Sequence, residues 1–148
     1  MLAASRINFF FSGSKPTLRD RLKLKRFIHY ILKREKKQLE SINIVFSNDA
    51  EVHKINKAYL NHDYLTDIVT FELSAKGKPI IAELYISCDR VRENAQLHNT
   101  SFGYELHRVI FHGVLHLCGY NDKTKRQSRV MRHQEDVYLE QYLGKCFT

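Results

Sequence analysis

Hydrophobic positions in the first third of the chain predict a strand, a helix and a second strand. The run RINFFF, from Arg6 to Phe11, is typical of a buried strand and ends at a Ser-Gly-Ser turn. Thr17 can cap a helix that continues to about Lys37. The apolar stripe of this helix consists of Leu18, Leu22, Ile28, Ile31 and Leu32. The β-branched segment SINIVFS, from Ser41 to Ser47, predicts the second strand.

The middle of the chain predicts a helix followed by a hairpin. Asn48 or Asp49 can cap the helix. Its apolar side is predicted to contain Val52, Ile55 and Tyr59. Two segments rich in β-branched and aromatic residues then surround AKGK: DIVTFEL from Asp67 to Leu73, and PIIAELYIS from Pro79 to Ser87. They predict two strands joined as a hairpin.

The last third predicts three helices, at about residues 89–98, 102–118 and 125–143. Since no repeat, low-complexity tract or linker interrupts the pattern, residues 1–148 are predicted to form a single domain. The first strand, helix and second strand should form a right-handed parallel crossover. The predicted fold class is therefore α+β, with a mixed four-stranded sheet that starts with this crossover, contains the hairpin and is covered by about five helices.

The composition is that of a globular chain, with 43% hydrophobic residues, nine Phe and eight Tyr. No apolar run approaches the ~20 residues that span a membrane, and the apolar part of MLAASRINFFFSG is too short for a signal peptide. The cysteines, Cys88, Cys118 and Cys146, are far apart and form no CxxC pair, as expected of free thiols in a reducing compartment. We therefore expect a cytoplasmic protein with no membrane partner.

Basic residues outnumber acidic ones by 24 to 16, which gives a formal charge of +8. They concentrate between Lys15 and Lys37 and again in a second cluster near the C-terminus. The second cluster contains Lys123, Lys125, Arg126, Arg129 and Arg132. Such clusters favour polyanionic partners, although a solvated helix face explains a basic cluster alone equally well. The second cluster is more informative because it adjoins a candidate metal site.

That candidate site is the motif HGVLHLCGYND, residues 112–122. His112 and His116 lie four positions apart on a predicted helix, so both imidazoles can reach one ion. Gly119 suits the left-handed position that ends a helix, and the returning chain can bring Asp122 to the same ion. Two histidines and a carboxylate leave a fourth zinc position open for water, which is typical of a catalytic site. An HxxxH pair also arises by chance, but buried histidines on a mostly apolar helix need partners.

Two neighbouring positions limit the chemistry of this motif. Glu105 lies in the same polar sector but about 10 Å along the helix axis from His112, too far to share an ion. It is a weak catalytic candidate, and equally an acid favoured by the helix dipole. Gly113 stands where HExxH peptidases carry their general base, which makes a metallopeptidase a poor interpretation.

The motif resembles that of the YbeY family of bacterial endoribonucleases, whose pattern is close to HGxLHLxGYDH. TDIVTF, from Thr66 to Phe71, is similar to the family's TDVLSF strand, and AELYIS, from Ala82 to Ser87, to its GDIxIS strand. Met131 and Glu135 match the family's downstream helix. The resemblance implies a zinc-dependent, single-strand-preferring endoribonuclease in ribosomal RNA maturation and ribosome quality control, with one zinc per chain. It also implies the ribosomal small subunit and its assembly factors as partners.

The resemblance implies that His112 and His116 are zinc ligands and that Asp122 takes the place of a third histidine. It leaves the catalytic groups beyond the metal-bound water unknown. The family's functional arginine is replaced here by Leu60. His62 is a second weak catalytic candidate. The predicted RNA-binding residues are Lys123, Lys125, Arg126 and Arg129. The change at Leu60 keeps an alternative open, namely a non-catalytic ribosome-assembly or RNA-binding factor with a structural metal site.

Overall fold

A computed structural model describes residues 6–144, and within this range a four-stranded mixed sheet carries five helices. The strands are β1 (Ile7–Phe11), β2 (Leu39–Ser47), β3 (Ile68–Glu72) and β4 (Ile80–Ser87). The helices are α1 (Arg21–Arg34), α2 (Asp49–Leu60), α3 (Cys88–Leu97), α4 (Phe102–Leu117) and α5 (Lys125–Leu143). The predicted α+β class is confirmed.

The strands follow the order β1-β2-β4-β3 across the sheet. The β1–β2 and β2–β4 pairs are parallel, and β3 pairs with β4 in the antiparallel sense. The parallel start and the hairpin are thus both as predicted. In the centre of the sheet Ile44 of β2 pairs with Leu84 of β4, which pairs in turn with Thr70 of β3.

Helix α4 packs closely on this sheet, and Gly113 makes the close approach possible. A Cβ atom built at Gly113 would lie 2.6 Å from both Ile68 Cδ1 and Leu84 Cδ2. Real side chains avoid such distances, so only glycine fits without movement of the sheet. The close packing brings His112 and His116 to the sheet end near the start of β3, where they border a cavity that Ile68 also lines.

Two predicted apolar stripes differ from the structure. Helix α1 begins after Asp20, whose side chain accepts a hydrogen bond from the Lys23 amide, and not at Thr17. Leu22 is 48% exposed, whereas Leu24 is buried. The buried residues of α1 are Leu24, Ile28, Ile31 and Leu32. They follow the i, i+4, i+7, i+8 spacing of one helix face, from which Leu22 is turned away.

In α2, Tyr59 is 74% exposed although it was predicted to lie on the apolar side. The inward position one turn after Val52 belongs to Asn56, which is buried and donates a hydrogen bond to the Tyr64 carbonyl. A polar residue thus occupies the inner face of α2, and its side-chain amide binds the backbone of the loop that follows the helix.

Cys88 and Cys118 are free thiols, and Cys146 lies outside the described residues. Among residues 6–144, no helix combines the length and the apolar character that crossing a bilayer requires.

Candidate metal centre

The last turn of α4 and the loop that follows bring three side chains together. The Nε2 atoms of His112 and His116 lie 3.1 Å apart. Asp122 Oδ2 lies 3.3 Å from Nε2 of His112 and 3.5 Å from Nε2 of His116. Within residues 6–144 these residues form a group whose potential ligand atoms all lie within 4.8 Å of one another. The predicted turn of the chain after α4 is therefore present.

The turn itself depends on a glycine and on a partly buried acid, Glu35. Gly119 has φ +102°, and the Tyr120 amide donates to the Leu115 carbonyl, which closes the end of α4. The Tyr120 hydroxyl donates to Glu35 Oε1 at 2.9 Å, and the Tyr138 hydroxyl donates to the other oxygen of Glu35. Burial and the Glu35 carboxylate raise the pKa of Tyr120 to about 12. Glu35 thus ties the loop before Asp122 to α1 and α5.

Behind the cluster, Glu135 of α5 supports His112. Its Oε2 accepts a hydrogen bond from His112 Nδ1 at 2.6 Å, and its Oε1 accepts one from Arg108 at 2.7 Å. Because a carboxylate can only accept, Nδ1 carries the proton, and Nε2 of the neutral ring keeps a lone pair directed to the cluster. Arg108 also donates to Asp136 at 2.6 Å and to Tyr104 at 3.1 Å.

The two imidazoles differ in their affinity for protons. Burial disfavours the charged form of His112, but the hydrogen bond and charge of Glu135, together with the charges of Asp67 and Asp122, outweigh it, and the pKa of His112 is raised. Burial and the charge of His112 lower the pKa of His116. A proton therefore binds more readily to His112 than to His116.

A cavity of about 650 Å³ opens in front of the cluster. Its walls include His112, His116 and Asp122, the exposed His62 of the α2–β3 loop, and Lys123. His62 thus shares the cavity with the cluster without joining the three-residue group. Its Nδ1 lies 2.9 Å from the Tyr64 hydroxyl.

A smaller cavity of about 280 Å³ lies on the other side of His112, and Glu105 lines it. Glu105 is only 4% exposed, and its Oε1 lies 3.7 Å from His98 Nδ1, so it also stays outside the three-residue group. Asp67 lines both cavities. Burial raises the pKa of Asp67, and the charge of His112 opposes the shift.

The position of Gly113 bears on the peptidase interpretation. It faces Ile68 and Leu84 in the sheet, where any larger side chain would collide with their methyl groups. A glutamate there could not reach the cavity without displacing α4 from the sheet. The packing of α4 therefore disfavours an HExxH-type general base at this position.

The predicted RNA-binding residues are all exposed, and one of them lines the cavity. Lys123 lines its wall. Lys125, Arg126 and Arg129 are exposed on the first turns of α5, whose N-terminal turn contains no acidic residue. Because the N-terminal end of a helix dipole is itself positive, these charges and the helix end add to one positive region.

A second basic surface, which we call the basic groove, has a volume of about 700 Å³. Lys36 and Lys37 line it after α1, Lys76 and Lys78 line it from the β3–β4 hairpin, and His116 lies on its wall. Within residues 6–144 these four lysines form no ion pair with a carboxylate. No local pattern in the sequence predicted this meeting of the α1 end with the hairpin.

The contacts of Glu135 and Arg108 behind the cluster, and the position of Asp67 on both cavities, were also not predicted. A signal for Glu135 was present, because it lies on the apolar face of α5 between Met131 and Tyr138, where an uncharged residue is expected. Arg108 likewise interrupts the buried part of α4, one turn before His112.

The fold and the cluster define a class: an α+β protein with an open mixed sheet and a candidate metal centre at the end of its central helix. The family model described as Endoribonuclease YbeY matches residues 14–143. The chain belongs to the YbeY family.

Relatives and a solved structure agree with this assignment. A protein of Cytophaga hutchinsonii named Endoribonuclease YbeY is 42% identical over 134 residues, which cover 90% of this chain and 93% of the relative. A Porphyromonas gingivalis protein of the same name is 39% identical over 144 residues, covering 95% and 94%. The solution structure of a Thermotoga maritima protein superimposes with a TM-score of 0.66 and 28% identity, and covers 93% of this chain and 90% of that one.

Proposed function

We propose that this protein is a zinc-dependent endoribonuclease that cleaves single-stranded RNA. The zinc, one ion per chain, would be held by His112, His116 and Asp122. The names of the relatives support the reaction class, and the spacing of the three side chains supports the metal.

The spacing of the three ligand atoms carries the proposal. Atoms about 2.0–2.1 Å from a tetrahedral zinc ion lie about 3.3 Å from one another. The separations in the cluster are 3.1, 3.3 and 3.5 Å. Two imidazoles and one carboxylate are also a donor set that zinc accepts, and they leave one position for water or substrate. The residues present therefore fit the ion.

When bound, such an ion activates water at neutral pH and withdraws charge from a phosphoryl oxygen. The protein's own residues supply and orient the ligands of this ion. Glu135 fixes the orientation of His112 and the position of its proton at Nδ1. Asp122, on the loop after α4, completes the donor set in place of a histidine.

The phosphates of the RNA would lie along the basic surfaces on both sides of the cluster. Lys123 lines the cavity, and Lys125, Arg126 and Arg129 follow it as exposed residues on the first turns of α5. The basic groove adjoins the cluster at His116. Such contacts bind RNA electrostatically and with little sequence preference. Leu60 lines this cavity without a charge, and we assign the phosphate contact within the cavity to Lys123, the lysine that lines it.

We further propose that the substrate is ribosomal RNA during its maturation and quality control. The ribosomal small subunit and its assembly factors would be the partners, and the cytoplasm the location. The resemblance of the HGVLHLCGYND motif to the family pattern supports this assignment, together with the +8 charge of the chain.

The experiment replaces Asp122 and measures both zinc and cleavage. Asp122→Ala should lose most of its zinc, measured by elemental analysis after dialysis, and its cleavage of a single-stranded RNA oligomer. Asp122→His should keep zinc if the longer ring fits. Ser128→Ala is the matched control, because it removes a hydrogen bond to the Asp122 carbonyl and leaves the candidate ligands in place.

Full zinc occupancy and activity in Asp122→Ala would contradict the ligand assignment. Zinc binding by the wild type without chelator-sensitive RNA cleavage would instead favour a non-catalytic assembly factor. The change from arginine to Leu60 is the feature of the chain that agrees with that second function.

A further inference from the structure

The α2–β3 loop exposes aromatic and apolar side chains on the wall of the cavity that opens in front of the cluster. Tyr64 is 55% exposed and Leu60 39% exposed, and both line this cavity. The rings of Tyr64 and His62 are stacked, with their centroids 5.2 Å apart and an interplanar angle of 19°. An exposed, flat ring pair beside a polar centre is a surface that water solvates poorly.

The loop holds this ring pair in place. The side-chain amide of the buried Asn56 donates to the Tyr64 backbone carbonyl at 3.1 Å. The backbone carbonyl of Asn56 accepts from the His62 backbone amide at 3.2 Å. Asp63, between the two rings in sequence, lies 2.8 Å from His53 Nε2. These contacts fix the backbone on both sides of the rings, so a ligand that stacks on them meets an ordered surface.

We propose that the His62–Tyr64 pair is a stacking platform for one unpaired nucleobase of the RNA. The proposal rests on the proposed function, and it names an unpaired base as the part of the substrate that this wall of the cavity recognises. The same cavity is lined by the aromatic pair, by Lys123 and by the candidate metal centre. A nucleotide combines the matching groups, a flat base and an anionic phosphate.

The platform also accounts for two features of the site. In a duplex the bases are stacked inside the helix and cannot reach the rings, so the platform favours single strands. Leu60, which stands where the family has an arginine, borders the same cavity. An apolar side chain there suits the face of a base or ribose better than a phosphate.

The test measures binding of single-stranded RNA in the presence of a chelator, so that neither metal nor cleavage contributes. The probe is a short oligouridine strand with one central 2-aminopurine, whose fluorescence is quenched by stacking. Tyr64→Ala should weaken binding about 5- to 150-fold and abolish the protein-induced quenching. Tyr64→Phe should retain both, because the ring remains. Tyr59→Ala is the matched control: Tyr59 is exposed but packs against Phe71 and does not line the cavity.

A second strand with an abasic site in place of 2-aminopurine isolates the stacking contribution. Tyr64→Ala and the wild type should bind this strand equally. The proposal would be overturned if Tyr64→Ala and the wild type bound and quenched the 2-aminopurine strand equally. It would also be overturned if Tyr64→Ala lost the same affinity for the abasic strand as for the 2-aminopurine strand. Absence of RNA binding by the wild type would also overturn it and point to a protein partner for this surface. Because the chelator is present throughout, failure of the zinc or cleavage experiment on Asp122 leaves these results unchanged.

Discussion

Replacement of Glu135 by glutamine tests whether the carboxylate behind His112 organises the candidate metal centre. Glutamine keeps the shape of the side chain but removes its charge. The carboxylate accepts from both His112 and Arg108, at 2.6 and 2.7 Å. A glutamine has one carbonyl oxygen, so its NH2 group must face one of these two donors. One hydrogen bond is therefore lost whichever way the amide is turned.

The burial of the pair determines the size of the effect. Glu135 is 4% exposed and Arg108 is 5% exposed, so water screens neither charge effectively. Removing one partner of a buried ion pair costs about 3–5 kcal/mol. Arg108 keeps Asp136 and Tyr104 as acceptors. We therefore expect a smaller loss in the free energy of unfolding, about 1–3 kcal/mol, the cost of a buried group left without its partner.

Zinc affinity should fall about 10- to 100-fold in Glu135→Gln, because His112 either loses its acceptor or keeps only an uncharged one, which fixes its proton and ring orientation less firmly. Competition with a chromophoric chelator at fixed pH measures this affinity, and thermal unfolding of the metal-free protein measures stability. Asp136→Asn is the matched control, since Asp136 also accepts from Arg108 but does not contact His112. It should leave zinc affinity unchanged. A folded Glu135→Gln protein with wild-type zinc affinity would refute the reasoning and limit Glu135 to packing α5 on α4.

Three further predictions concern packing, protonation and RNA contacts. Gly113→Ala should lower stability by about 1–3 kcal/mol, because its Cβ would lie 2.6 Å from two sheet side chains. Gly103→Ala on the same helix, with nothing within 4 Å, should be neutral or stabilising by up to about 1 kcal/mol in thermal unfolding. Burial lowers the pKa of His107, so the unfolded chain binds the proton more tightly and stability should fall as the pH drops below about 6.5. In urea unfolding His107→Gln should flatten that decline, and an unchanged pH dependence would exclude His107 as its source. Replacing Arg126 and Arg129 together by alanine should reduce the slope of log RNA affinity against log salt by up to about 2. An unchanged slope would place the phosphate contacts in the basic groove.

Local patterns in the sequence determined most of the secondary structure and part of the cluster. The strand segments and helices were predictable because alternation and helical spacing depend only on near neighbours in the chain. The same holds for His112 and His116, since residues four apart on a helix always lie on one face. Gly119 marked the end of α4 because its positive φ is a local property of the backbone.

The tertiary structure decided which face of each helix is buried. Leu22 is as hydrophobic as Leu24, and Tyr59 is more hydrophobic than Asn56, yet Leu22 and Tyr59 are exposed. Leu24 and Asn56 take the inner positions. Which face of a helix is buried depends on where the core lies and on which loop the helix must bind. Neither can be read from the sequence of the helix alone.

The tertiary structure also decided which distant residues support the centre. Glu135 lies 23 positions after His112 and reaches it only because α5 packs on α4. The basic groove exists because the end of α1 meets the β3–β4 hairpin. The chemical type of each of these side chains can be read from the sequence, but the distances between the side chains depend on how the helices and strands pack. That packing is set by the shape and volume of the whole core, which no local pattern contains.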